Sequence, residues 1–294
     1  MLCMNNIPLK VIKWVEPNHR NDPPLHIAKS GERYSTVTGI AWLDNYMFVA
    51  AHRNGLAIAV FDIRSTLPLL QVKAIKHFSD TIASKKINEN TWEIIVSGCY
   101  ECAFSNYVLT INQSVEFKLL SVKKHQDVSF SHGANYDHEG NYILSYSTGE
   151  NPRIETEKKI WKLPRPWGPR DVCLNPDTNE MFCVAVSAQP KRVSYHQSQV
   201  SVWSYIKILD EWKMILKINN AHSDSCRFYK NRLFLPDQVN HQILVFNLQE
   251  KTKPLVLKSK FFDFIHGLDI SDSGMLAITS YGQSSIILLN IDEL

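Results

Sequence analysis

The chain has 294 residues, 44% hydrophobic and 21% charged, a balance that supports a substantial core and excludes a disordered polypeptide. Thirty-two basic residues against 29 acidic ones leave a net charge of +3. The longest basic clusters, Lys123-Lys124-His125 and Lys158-Lys159, are too short for a nucleic-acid footprint.

No apolar run reaches the length of a secretion signal or a membrane span, so a cytoplasmic protein with neither membrane nor nucleic acid among its partners is expected. Its six cysteines, Cys3, Cys99, Cys102, Cys173, Cys183 and Cys226, are then expected to be reduced. The sequon Asn112-Gln113-Ser114 would meet no glycosylation machinery.

In chain order, Leu9 to Val15 reads as a strand with no partner nearby, followed by a Pro-, Asn- and His-rich connection from Glu16 to Ser35. Four strands come next: Val37 to Leu43, Tyr46 to Ala51, Ala57 to Ile63 and Leu69 to Ile75. Asp44-Asn45 and Arg53-Asn54-Gly55 supply the turns between the first three. A signature of apolar, apolar or aromatic, polar, apolar residues then recurs along the chain. It appears as Val60-Phe61-Asp62-Ile63, Val108-Leu109-Thr110-Ile111, Ile160-Trp161-Lys162-Leu163, Val202-Trp203-Ser204-Tyr205, Val245-Phe246-Asn247-Leu248 and Leu288-Leu289-Asn290-Ile291. Its spacing of 42 to 52 residues matches one four-stranded propeller blade per unit.

The six units fall at about 36–77, 79–124, 129–164, 169–218, 222–261 and 264–294. In the third, Arg165-Pro166-Trp167-Gly168-Pro169 leaves no room for an outer strand after Leu163, so a three-stranded or distorted unit is expected. The last unit has three strands, Gly267 to Ile270, Met275 to Thr279 and Ser285 to Ile291, and then the chain stops. Pairing it with residues 8–15 supplies its missing strand and removes an exposed edge. The expected fold is all-β: a single six-bladed β-propeller over residues 1–294, its N-terminal strand closing the last blade.

The repeat resembles the propeller superfamily that contains the WD40, YVTN and NHL families, and the resemblance covers nearly the whole chain. Regular Gly-His and Trp-Asp dipeptides are missing, so the likeness is closer to NHL and lactonase-type propellers than to a true WD40 array. The resemblance implies that ligands bind at one mouth of the central channel, where the innermost strand of each blade begins.

Phe78-Ser79-Asp80, Phe130-Ser131-His132 and Phe264-Ile265-His266 echo one another before an innermost strand. Aligning the other blades on them yields a ring of Thr38, Asp80, His132, Arg170, Asp224 and His266. Within it His132 opposes His266, and Asp80 opposes Asp224. Second-strand ends add His52, Arg53, Asn54, Tyr100, Glu101, Ser147, Glu150, Asp237, Gln238 and Tyr281 to that face. The connection Ala188 to Ser198, with Lys191, Arg192, Tyr195 and His196, emerges there too and, like 16–35, is long enough to serve as a lid.

Two functions follow as expectations. One is a non-enzymatic scaffold presenting the channel mouth to a protein or small-molecule partner. The other is an enzyme of lactonase, isomerase or lyase type, in which Arg170 holds a substrate carboxylate and His132 or His266 moves a proton. Asp80 and Asp224 would then orient the histidines or a divalent metal. The plainer reading of the ring is a polar lining for a wet channel.

No resident cofactor is expected otherwise. Lactonase-type propellers usually hold calcium on a Glu, Asn and Asp set, whereas histidines favour zinc or another transition ion. Cys99-Tyr100-Glu101-Cys102 has no second Cys-x-x-Cys to complete a metal site. No phosphate loop, Gly-x-Ser-x-Gly elbow or His-Glu-x-x-His occurs.

Overall fold

The computed structural model describes residues 2–3, 10–14, 36–98, 103–124, 130–148, 151–187, 197–250 and 253–293. Six small antiparallel sheets follow one another along the chain as the blades of a propeller. Blade one contains Val37–Trp42, Met47–His52, Ala57–Asp62 and Leu69–Ala74, from the channel outward. Blade two contains Ser79–Asn88, Thr91–Gly98, Ala103–Ile111 and Val115–Lys124.

Blade four runs from Trp167–Leu174 through Met181–Ser187 and Gln199–Ile206 to Glu211–Asn219. Blade five runs from Arg227–Tyr229 through Arg232–Asp237 and Gln242–Asn247 to Leu255–Lys258, where Leu2–Cys3 adds a short parallel fifth strand. Blade six is Ile265–Ile270, Met275–Ser280 and Ser285–Asn290, completed by Lys10–Lys13. That last pairing, Lys10 opposite Leu288 and Lys13 opposite Ser285, is the expected closure.

Of the two expectations for blade three, three-stranded or distorted, the structure shows the second. Its sheet has four strands, Phe130–Tyr136, Tyr142–Thr148, Arg153–Thr156 and Ile160–Trp161. The signature Ile160-Trp161-Lys162-Leu163 lies on the outermost strand here, not on the third as in the other blades. The third is the short Arg153–Thr156, where Ile154 supplies the buried contact and pairs with Trp161.

Inner strands are buried where neighbouring blades cover them, Val37–Trp42 throughout and Ser79–Asn88 over its first five residues, whereas Leu69–Ala74 and other outer strands face solvent. The reason is that each inner strand is covered on both faces by neighbouring blades, which reads as a continuous apolar run rather than an alternation. The core is accordingly divided into six clusters, one per blade interface. At the closure, Ile12 and Trp14 pack with Val37, Trp42, Phe48, Phe61, Ile286 and Leu288. Burying two such side chains contributes roughly 1.5–3 kcal/mol each toward holding the ring shut.

Candidate functional site

In five blades a β-bulge falls at the predicted ring residue. Pairing breaks between Val37 and Ile40, Ser79 and Ile82, Ser131 and Ala134, Pro169 and Asp171, and Ile265 and Leu268. Those breaks enclose Thr38, Asp80, His132, Arg170 and His266. An extra residue on one strand re-aims its side chain, and here the same device recurs around the channel.

The residue after each ring residue meets the next blade. A Cβ on Gly39 would stand 2.7 Å from the Ile82 amide nitrogen, one on Gly133 2.4 Å from the Arg170 carbonyl, and one on Gly267 2.4 Å from the Thr38 carbonyl. Glycine is therefore required at these close approaches. Blade two uses Thr81 instead, whose hydroxyl donates to the His132 carbonyl at 2.7 Å and accepts from the Ala134 amide at 3.0 Å.

Second-strand hydroxyls satisfy the freed backbone groups. Ser97, Ser145 and Thr279 accept from the amides of Thr81, Gly133 and Gly267 at 2.8, 2.8 and 2.7 Å. Ser145 and Thr279 also donate to the carbonyls of Arg170 and Thr38 on the following blades, at 2.6 and 2.7 Å.

This scaffold brings four of the six ring side chains together. His132 Nε2 lies 3.0 Å from one Asp80 oxygen and 3.4 Å from one Asp224 oxygen. His266 Nε2 lies 3.2 Å and 3.4 Å from the other oxygen of each aspartate. Both imidazoles and Asp80 are at most 3% exposed. Arg170 stands at the edge, its Nε 3.5 Å from Asp224, and Arg53 Nη1 is 3.6 Å from Asp80. Thr38 is also buried, but its hydroxyl is directed to backbone carbonyls of Ala51 and Ser79 at 3.4 and 3.3 Å.

The two aspartates differ. Asp224 accepts from Gln238 Nε2 at 2.7 Å, and His222 Nε2 is 3.1 Å from its other oxygen. Neither oxygen of Asp80 has a well-directed hydrogen bond among the described residues, and neither do the Nδ1 atoms of His132 and His266.

Burial would raise the Asp80 carboxyl, but the imidazoles of His132 and His266 outweigh it and hold the group below the usual carboxylate range. Burial likewise acts against Asp224, which His222, His132 and Arg170 bring down. Burial would lower His266, and the Asp80 and Asp224 carboxylates outweigh it and raise the imidazole. For His222 burial prevails over the pull of Asp224, and its proton affinity falls. Both carboxylates are thus ionised at neutral pH. Asp80, His132 and His266 offer ligand atoms within 4.8 Å of one another, a spacing that could hold a metal ion.

His222 was not among the sequence candidates, although a signal existed. It occupies the position two before Asp224 where the other echoes carry Phe78, Phe130 and Phe264, and alternate residues of an extended chain share a side.

The remaining predicted residues are placed as follows. His52 Nδ1 accepts from the Gly55 amide at 2.9 Å, and its ring meets Trp14 edge-on at 5.1 Å, tying the closure strand to a turn. Asp237 holds its own hairpin through Asn240 and Gln242 at 2.7 and 2.9 Å. Tyr281 is buried with its ring 6.0 Å from that of His266. Tyr100, Glu101, Glu150, Lys191, Arg192, Tyr195, His196, the Cys99–Cys102 motif and residues 16–35 lie outside the described residues.

At the opposite mouth, innermost-strand ends line adjoining cavities of about 190 and 350 Å³ that share Asn135, Arg227 and Asp269. Arg227 bridges Asp171 and Asp269 there at 2.7 and 2.9 Å. No described helix is long and apolar enough to cross a membrane.

No protein-family model and no curated protein sequence matches the chain. Solved structures do match it in shape. The luciferin-regenerating enzyme has a TM-score of 0.64 at 10% identity, over 96% of this chain and 95% of that one. The WD40 propeller domain of Doa1 has a TM-score of 0.60 at 7% identity, over 94% and 98%. A catalytically inactive histidine-to-alanine variant of virginiamycin B lyase from Staphylococcus aureus, with quinupristin, has a TM-score of 0.59 at 10% identity, over 97% and 100%. Identities this low speak to the fold alone, and the fold is that of the β-propellers, WD40 domains among them.

Proposed function

We propose that the protein binds a small molecule at the channel mouth and acts on it by proton transfer, as a propeller enzyme of lyase or isomerase type. The observation that carries this reading is the meeting of His132, His266, Asp80 and Asp224 on four bulged or specially braced strand starts. A wet lining does not require it. Burying two carboxylates beside two imidazoles costs several kcal/mol per ion before pairing offsets it, and among the described residues Asp80 has the two imidazoles at 3.0 and 3.2 Å but no well-directed hydrogen bond.

In this reading one imidazole Nε2 takes a proton from a carbon next to a substrate carbonyl. The released electron pair forms the new double bond, the bond to the leaving oxygen breaks, and the second imidazole returns a proton to that oxygen. Arg170, the most accessible of the surrounding cations, orients an anionic group. A protein partner resting on the mouth would not reach groups buried this deeply, so a small molecule suits them better. The histidine exchange that leaves virginiamycin B lyase inactive supports histidine chemistry on this architecture. The buried free thiols of Cys173, Cys183 and Cys226 suit a reducing cytoplasm.

The test is a panel of lactones, hydroxy acids and quinupristin, incubated with the protein and followed by mass spectrometry and chromatography. Ring opening by elimination leaves the mass unchanged, whereas hydrolysis adds one water. Conversion by the wild type that His132→Gln and His266→Gln both lose supports the proposal. Conversion that both variants retain refutes it.

A further inference from the structure

We infer that Asp80, His132 and His266 form a binding site for one zinc-like divalent ion, with Asp224 beside the ion and outside its ligand set. The inference rests on reading the ring as the reaction centre; with an ion bound, both Nε2 lone pairs are ligands and Asp224, not an imidazole, is the group that moves the proton.

Two imidazoles and one carboxylate suit zinc and its first-row neighbours, while calcium and magnesium prefer oxygen alone. The separations agree. Ligands about 2.0–2.1 Å from a tetrahedral ion lie roughly 3.3 Å apart; His132 and His266 stand 3.0 and 3.2 Å from different oxygens of Asp80, and the three ligand atoms lie within 4.8 Å of one another. Direction agrees as well: at hydrogen-bonding distance from both imidazoles, neither Asp80 oxygen has a well-directed hydrogen bond among the described residues.

The contrast with Asp224 assigns the roles. Its oxygens are already engaged by Gln238 and His222. It also lies 3.4 Å from each liganding nitrogen. Three protein ligands leave a fourth position for water or substrate, as in catalytic zinc sites. Asp224 borders that position and would accept the proton of a bound water.

The experiment titrates chelator-stripped protein with cobalt(II) and with zinc, reading visible absorption, stoichiometry and thermal unfolding. The expected result is one ion per chain, a tetrahedral cobalt spectrum, and a zinc-dependent rise in Tm for the wild type. Asp80→Asn, His132→Gln and His266→Gln should each abolish binding, with circular dichroism confirming that they fold. Asp224→Asn should still bind one ion, about 10–100-fold more weakly, as loss of an outer partner does.

Wild-type protein that binds no cobalt, or an Asp224→Asn variant as deficient as Asp80→Asn, overturns the assignment. Conversion of the substrate panel by ion-free protein would also overturn the metal site and leave the acid–base centre standing. A bound ion with conversion retained by both histidine variants would refute that centre and spare the metal site.

Discussion

His132 and His266, on opposite blades, have ring centroids 6.0 Å apart and planes only 13° from parallel. The chain between them spans 134 positions, yet their Nε2 atoms reach the same two carboxylates. That convergence depends on the bulges, which are held by glycines and second-strand hydroxyls.

Gly133→Ala and Gly267→Ala should therefore damage the site as well as the scaffold. Each new methyl would overlap a carbonyl of the next blade. Overpacking of this kind costs typically about 1–3 kcal/mol. Urea unfolding should show that loss, and cobalt binding should weaken in both variants. Thr279→Ala should also destabilise, by about 1–3 kcal/mol, because it leaves the Gly267 amide and the Thr38 carbonyl without their partner.

Trp14 tests the closure. It is 3% exposed and packs edge-on against His52 and Phe61. Trp14→Ala should cost about 3–5 kcal/mol, read as a lower urea midpoint. An unchanged midpoint would mean that the N-terminal strand contributes little to holding the ring.

Arg227 tests the far mouth. It is the cation between Asp171 and Asp269, and burial raises both carboxyls despite it. Arg227→Met should destabilise by about 3–5 kcal/mol at neutral pH, the usual cost of leaving a buried ion without its partner. Groups whose folded pKa is raised bind protons more readily in the folded state, so lowering the pH toward theirs favours folding. The variant should accordingly recover part of its loss between pH 7 and 5, relative to wild type.

His77 predicts an acid-sensitive step. Burial pushes its imidazole down to about 4, with Nε2 held 2.6 Å from the Ser105 hydroxyl. The unfolded chain binds this proton near pH 6.5 and the folded chain does not, so stability falls as pH drops through that interval. The full difference is about 3 kcal/mol. Urea unfolding at pH 7 and 4.5 should show a larger drop for wild type than for His77→Gln.

Much of this architecture is legible in the residues. The apolar signature marks third strands because those strands are buried on both faces, and it lands correctly in blades one, two, four, five and six. In blade three Ile160-Trp161 carries the same pattern on an outer strand, since a four-residue third strand such as Arg153–Thr156 is too short to display any period. Leu2–Cys3 is shorter still, and its partner lies at Leu257–Lys258, so no local pattern could reveal it.

The ring was legible through the Phe-Ser-Asp and Phe-Ser-His echoes. The roles within it were not. That His222 and Gln238 brace Asp224, while Asp80 has no well-directed hydrogen bond among the described residues, depends on how blade five begins, with an innermost strand of only Arg227–Tyr229. Nothing in the spacing of single residues encodes that asymmetry.

The central claim is that His132, His266 and Asp80 face a shared bound species and not one another. Anomalous diffraction at the zinc edge, from crystals grown with zinc, tests it most directly. The account predicts one peak per chain at about 2.0–2.1 Å from both Nε2 atoms and within about 2.2 Å of an Asp80 oxygen. No peak, with Nε2–H groups donating straight to the two carboxylates, would contradict it.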